Sequence, residues 1–164
     1  MIILSKNKQT LQIDEFKFKC SVGKNGILSK KKEGDKTTPK GLFKLGNLYY
    51  RADRLTKPNT KLKVKKIKKS MGLCDDLNKP RFYNKLIVSK NKIKQEKLYR
   101  KDHKYDLFIL IKYNYPKPKI PLGSCIFLHL TTDYKPTAGC IAIKKNDFLV
   151  LAKIIKPETK ILIS

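Results

Sequence analysis

The stretch Ile126-Phe127-Leu128-His129-Leu130-Thr131-Thr132-Asp133-Tyr134-Lys135-Pro136-Thr137-Ala138-Gly139-Cys140-Ile141-Ala142-Ile143 decides how the rest of the chain is read. Its first part continues from Cys125. Because side chains alternate across an extended segment, Cys125, Phe127 and His129 share one face and Ile126, Leu128 and Leu130 the other. Apolar residues on both faces mark a strand covered on both sides. Thr131 to Pro136 is a polar break rich in turn formers. After it a thiol, Cys140, stands directly behind a glycine, Gly139.

A thiol attacks a carbonyl as the thiolate, and a nearby imidazole can take its proton and stabilise the resulting charge. His129, a histidine embedded in an apolar strand, and Cys140 can form that pair. Glycine has no Cβ, so the backbone at Gly139 can turn sharply and let a carbonyl approach the amides of Gly139 and Cys140 as an oxyanion hole. Cys20, Cys74 and Cys125 read as core thiols, since free cysteine is among the most buried residue types. His103, among Lys101, Asp102 and Lys104, reads as a solvated loop histidine. No CxxC pair suggests zinc or a redox dithiol. Cys125 and His129 lie roughly 13 Å apart at about 3.3 Å per strand residue, too far to share an ion. Neither a metal nor a cofactor is expected.

Upstream, Leu107 to Ile111 is an apolar run flanked by Asp106 and Lys112, again a buried strand, and Pro116, Pro118 and Pro121 enforce a loop after it. Phe16, Phe18, Cys20 and Val22 alternate strictly, with Lys24-Asn25-Gly26 as the following turn. Lys30 to Gly41 reads as an exposed loop. Leu42 to Tyr50, interrupted by Gly46, and Lys61 to Ile67 are further strand candidates. Downstream, Asn146 or Asp147 caps a short helix carrying Phe148, Leu151, Ala152 and Ile155, stopped by Pro157, and Ile161 to Ile163 closes the sheet. The pattern predicts a mainly β fold with a few short helices. No linker or repeat divides the chain, so residues 1–164 are expected to form one domain.

The chain has 164 residues, 40% of them apolar, with 39 basic against 13 acidic side chains and a formal charge of +26. Such a charge points to an anionic partner. However, 35 of the 39 basic residues are lysine, whereas guanidinium is the group that reads bases and phosphates in bidentate fashion. The lysines are spread along the chain, with clusters at Lys30 to Lys32 and Lys61 to Lys69, and no nucleic-acid motif accompanies them. A nucleic-acid-binding module is therefore the rival from another class rather than the leading reading. The longest apolar runs are five residues, against roughly 20 for a membrane-spanning helix. Met1-Ile2-Ile3-Leu4, followed by Ser5, Lys6 and Lys8, lacks the apolar stretch of about 7–15 residues of a secretory signal.

The segment from Ile126 to Ile143 resembles the active-site signature of the L,D-transpeptidase family with the YkuD-type catalytic domain, in which a strand histidine precedes a Ser/Thr-x-Gly-Cys run. Lys32-Glu33-Gly34-Asp35-Lys36-Thr37-Thr38-Pro39-Lys40-Gly41-Leu42-Phe43 is similar to a second recurrent stretch of that family. Met71-Gly72-Leu73-Cys74-Asp75-Asp76 and Tyr105-Asp106 fit a compact branch of it. The resemblance implies Cys140 as nucleophile, His129 as its base and later acid, and the Gly139–Cys140 backbone as oxyanion hole. It implies attack on the third residue of a peptidoglycan stem tetrapeptide, loss of terminal D-Ala, and a thioester resolved by an acceptor amine, or by water in an L,D-carboxypeptidase. It also implies the periplasm or cell envelope as location, where the basic surface would meet an anionic cell-wall polymer. Many members carry His before the glycine and Arg two places after the cysteine; this chain has Ala138 and Ala142. Arg100 or a lysine is left to meet a substrate carboxylate.

Overall fold

The computed structural model describes residues 1–5, 9–29, 32–88 and 93–164. Lys6 and Lys8, and Lys30 and Lys31 at the head of the expected loop and lysine cluster, lie outside these residues. In chain order the strands are β1 (Ile2–Ser5), β2 (Thr10–Ile13), β3 (Phe16–Lys19), β4 (Ile27–Leu28), β5 (Thr38–Pro39), β6 (Gly41–Tyr50) and β7 (Val64–Lys66). Then come β8 (Met71–Cys74), β9 (Leu86–Val88), β10 (Gln95–Lys97), β11 (Leu107–Ile111), β12 (Ile126–Leu130) and β13 (Ile141–Ile143). Helix α1 (Lys145–Ile154) and β14 (Lys160–Ile163) complete the chain. The fold is mainly β, as the alternation and short apolar runs predict.

The main sheet runs β13-β12-β11-β6-β14-β1-β2-β3, with β7 added beside β6. Its two ends meet. Beyond β3, Ser21 and Ala142 of β13 exchange both backbone hydrogen bonds at 2.9 Å, which curls the sheet into a barrel-like ring. Closure removes the unpaired edges that an open sheet exposes. The interior holds the inward residues of β1, β2, β14 and β12, such as Leu4, Leu11, Ile163 and Leu128, together with Phe148, Leu151 and Ala152 of α1. A second apolar cluster lies on the outer face of β6, β11 and β12, where Tyr49, Phe108 and Phe127 pack with Met71, Leu73 and Leu98 of the β10-β8-β9 sheet region. Hence β11 and β12 are buried on both faces, which is why they read as unbroken apolar runs.

Several local expectations change. Gly46 does not break β6, which runs through it. Opposite it the register shifts, with Ile109 facing Leu48 and Ile111 facing Leu45, so the glycine marks a bulge that lets Leu110 approach closely. Lys61 to Ile67 shortens to the three residues of β7. Helix α1 starts at Lys145 with no side-chain cap, so neither Asn146 nor Asp147 caps it. Its start is set by the end of β13, whose last residue, Ile143, is still paired with Leu130. Asp147 instead places its charge in the first turn, where the helix dipole favours it. The last strand, β14, lies inside the sheet, parallel to β1 and antiparallel to β6.

Candidate active site

Strands β12 and β13 run parallel, with Leu128 opposite Ile141 and His129 opposite Ala142. That register puts Cys140, immediately before β13, beside Phe127, and the Phe127 amide donates to Cys140 Sγ at 3.4 Å. Paired residues in a sheet point the same way, so Cys140, Phe127, His129 and Ala142 share the outer face. Cys140 is half-buried, while the other three cysteines are buried as reduced thiols, as expected. Burial pushes the Cys20 thiol up to about 12. Of the four cysteines, only Cys140 is not fully buried.

His129 is almost wholly enclosed. Its Nδ1 lies 2.9 Å from the Leu130 carbonyl oxygen. A carbonyl only accepts, so Nδ1 carries the proton and Nε2 presents a lone pair. Among the described residues Nε2 has no hydrogen-bond partner. Burial, with Lys104 and Arg100 adding to it, lowers the imidazole from 6.5 to about 3, against the opposing pull of the Leu130 carbonyl and Asp102. The resting ring is neutral. A standing thiolate–imidazolium pair is therefore disfavoured, and a proton taken from sulfur belongs to the moment of attack. Tyr105 fixes the ring from the side, edge-on with centroids 5.2 Å apart. Its buried hydroxyl donates to Glu96, and its ionisation is raised by burial and then by Cys140.

This histidine also sets a pH dependence of stability. Between about pH 6.5 and pH 3 the unfolded chain binds a proton at this site and the folded chain does not, so stability falls as pH falls through that window. From pH 6.5 to 5 the expected loss is about 2 kcal/mol. Thermal melts of His129→Gln should show a shallower decline over that range than the native chain. Equal slopes would contradict the burial.

The nucleophile loop is pinned from far away in sequence. Gly139 has φ +135, and a Cβ there would come within 2.7 Å of the Thr37 carbonyl oxygen. Thr38 Oγ1 donates to the Gly139 carbonyl at 3.0 Å and accepts from the Gly23 amide at 2.8 Å. Thr137 Oγ1 donates to the Cys140 carbonyl at 2.6 Å and accepts from the Gly139 amide at 3.1 Å. So the Gly139 amide, expected to face an oxyanion, is turned to Thr137 instead. The expected exposed loop from Lys30 to Gly41 is corrected as well: Thr37, Thr38 and Pro39 are buried, because their polar groups close this network. Further up, Glu33 accepts from Tyr83 at 2.8 Å and from Ser124 at 3.2 Å.

A pocket of about 380 Å³ opens against His129 and Ala142, walled by the 102–104 segment and by Thr131, Asp133 and Lys135. The sulfur lies off this pocket, on the Phe127 side of the histidine. The wall is stitched to the sheet by two arginines that the sequence reading left unassigned. Buried Arg51 donates to the Arg100 carbonyl at 2.7 Å and pairs with Asp53 at 2.7 Å. Arg54 donates to the carbonyls of Lys101 and Asp102 and pairs with Asp106 at 2.8 Å. Arg100, a candidate for a substrate carboxylate, is already held by Asp102 at 2.6 Å. Lys104 lies over the Tyr105 ring, and Lys135 pairs with Asp133. His103 is exposed, as expected, and its Nδ1 meets Asp106 at 2.7 Å.

Among the described residues no group of His, Cys, Asp and Glu is arranged to hold a metal ion, and no helix is long and apolar enough to cross a membrane. Of the groups that order the site, the backbone of Phe127 and Leu130 left no signal in the sequence. Thr37, Thr38 and Tyr105 stood inside the quoted motifs without a role. Comparison with known families matches residues 1–163 to the L,D-transpeptidase catalytic domain, YkuD. No curated protein and no solved structure matches the chain. A match over nearly the full length, on a mainly β fold that brings the motif's histidine and cysteine to one face, establishes that the chain belongs to the YkuD family of L,D-transpeptidase catalytic domains.

Proposed function

We propose that the protein is a peptidoglycan L,D-transpeptidase that works through Cys140 and His129. The observation that carries this reading is a buried, neutral His129 whose Nε2 is unpartnered among the described residues, on the same sheet face as Cys140. In the first step Nε2 takes the thiol proton as Sγ attacks the carbonyl of the third stem residue. The bond to the terminal D-Ala breaks, the imidazolium returns its proton to the leaving amine, and a thioester on Cys140 remains. In the second step an acceptor amine attacks the thioester and gives its proton to Nε2. The carbon–sulfur bond then breaks and the thiol is restored. Splitting one amide exchange into two acyl transfers lowers each barrier.

The enclosed imidazole suits this cycle. It stays unprotonated until the reaction, so its lone pair is available at neutral pH, and the Leu130 carbonyl holds its orientation. The negative oxygen of each tetrahedral state draws on backbone amides beside the sulfur; the Gly139 amide reaches it only by giving up Thr137 Oγ1. The pocket against His129 leaves room for a second molecule beside the enclosed ring, and Ala142 keeps it open where many relatives carry arginine. An envelope location follows from the family's substrate. The +26 charge then favours retention on anionic wall polymer, weakening as salt rises.

Incubation with tetrapeptide muropeptides tests the reading. The expected products are free D-Ala and cross-linked dimers. Tripeptides without dimers would assign water as the acceptor and make the enzyme an L,D-carboxypeptidase. Intact tetrapeptide would overturn the proposal.

A further inference from the structure

The ring of strands is covered unevenly on its outside. Around β11 and β12 the outer face is buried under the second apolar cluster and the small sheet. Around β3, β2, β1, β14 and the first half of β6 the outward residues meet solvent. The register lines them up in rows. Lys17 faces Gln12, Gln12 faces Ile3, Ile3 faces Leu162, and Leu162 faces Leu42. Their neighbours in sequence, Leu11, Leu4, Ile161 and Ile163, point inward and are buried. Ile3 is 39% exposed and Leu42 is 52% exposed, so the middle of this face is apolar and open.

Lysines flank that apolar row at three places. Lys160 faces Lys44 along one side, Lys19 faces Thr10 along the other, and Lys17 closes one end. The strands themselves carry no outward carboxylate, while exposed Asp14 and Glu15 in the β2–β3 turn and Glu158 beside Lys160 lie at one margin. None of the four lysines forms an ion pair among the described residues, and Lys19 lies over the Tyr134 ring. A soluble polyanion would use the lysines but has no use for Ile3 and Leu42. A second copy of the chain would bury the apolar row but would bring like charge onto like charge, on a chain of +26. A bilayer rich in anionic lipid satisfies both parts. Ammonium groups meet phosphate headgroups while their methylene stems and the apolar row enter the boundary with the acyl chains.

We propose that this outer face of β3, β2, β1, β14 and β6 docks the protein on an anionic lipid surface. Docked so, the ring lies on the membrane through its bare half, and the face that carries Cys140 and His129 is turned away from those five strands. The site would be held near the membrane without a spanning helix. The attraction is electrostatic with an apolar component, so it weakens with salt without vanishing.

The test is co-sedimentation of the intact protein with phosphatidylglycerol-containing vesicles and with pure phosphatidylcholine vesicles, beside binding to heparin as a soluble polyanion. Binding to the anionic vesicles and to heparin, and none to the phosphatidylcholine vesicles, is expected. Ile3→Ser with Leu42→Ser should lower vesicle binding on the order of tenfold while leaving heparin binding unchanged. Lys17→Glu with Lys44→Glu and Lys160→Glu should lower vesicle binding by at least as much. The charge-matched set Lys57→Glu, Lys65→Glu and Lys79→Glu, on other surfaces, should lower it far less. Circular dichroism melts check that each variant is folded. The proposal falls if the protein ignores anionic vesicles, if the serine pair binds them like the native chain, or if both lysine sets act alike.

Discussion

Replacing Cys140 with alanine is expected to abolish acyl transfer altogether and to leave the melting transition almost where it was. In the proposed cycle the thioester forms on this sulfur, and no neighbouring group can substitute for it. The side chain is half-buried, and the Phe127 amide donates to its sulfur at 3.4 Å. Losing so long a contact costs about 1 kcal/mol or less. Intact mass after exposure to a carbapenem, whose strained β-lactam carbonyl is a reactive acyl donor, should show one adduct on the native chain and none on Cys140→Ala. Cys125→Ala, two residues before Phe127 on the same face, should keep the adduct. An adduct that persists in Cys140→Ala would remove the proposed nucleophile. His129→Gln should leave the thiol in place but slow acylation by roughly 10²–10⁴, the usual range for loss of a general base.

Gly139→Ala should be the most damaging change that touches no reacting atom. Its φ of +135 lies where L side chains are strained, and the new Cβ would stand 2.7 Å from the Thr37 carbonyl oxygen. Neither partner can give easily. Thr37 is held by Asp35 through its amide at 3.0 Å and its hydroxyl at 2.9 Å. Gly139 is held through its carbonyl by Thr38 and through its amide by Thr137. Backbone strain of this kind costs about 1–3 kcal/mol, so a lowered melting temperature is expected. Activity should fall further than stability, because a displacement of about 1 Å at a reacting group can cost roughly 100-fold. Acylation rates measured well below the variant's melting temperature separate the two effects. Native rates there would show that Thr37 and Gly139 do not position the sulfur.

Much of the site was legible because its chemistry is concentrated in one short segment. His129 stands on a strand whose two apolar faces are visible in the residue pattern, and Cys140 follows a glycine after a turn-rich break. The fold class was legible for the same reason: β11 and β12 are buried on both faces, and burial on both faces leaves an unbroken apolar run. Elements that depend on a distant partner were not legible. The helix start was misplaced because the end of β13 sets it rather than Asn146 or Asp147. Thr37 and Thr38 looked like solvated loop residues because threonine and proline are common in turns. Their burial follows from bonds to Asp35, Gly23 and Gly139, and the last of these spans 101 positions. Gly139 was marked for its freedom to turn, but the direction of its amide was a matter of where Thr137 stands.

The amino-acid order by itself determined which strands are buried, which cysteine differs from the other three, and that a histidine lies within reach of it along the chain. Alternation, turn chemistry and residue type are local properties, and each is written in a few consecutive positions. The three-dimensional arrangement alone decided that β13 lies parallel to β12 in the register that seats Cys140 beside Phe127. It also decided that enclosure keeps His129 neutral, with Nε2 unpartnered among the described residues, and that Lys17, Lys44 and Lys160, far apart in sequence, stand beside one apolar row. These are consequences of pairing between segments far apart in sequence. Strand register and side-chain enclosure arise only when such segments meet, so no single segment encodes them.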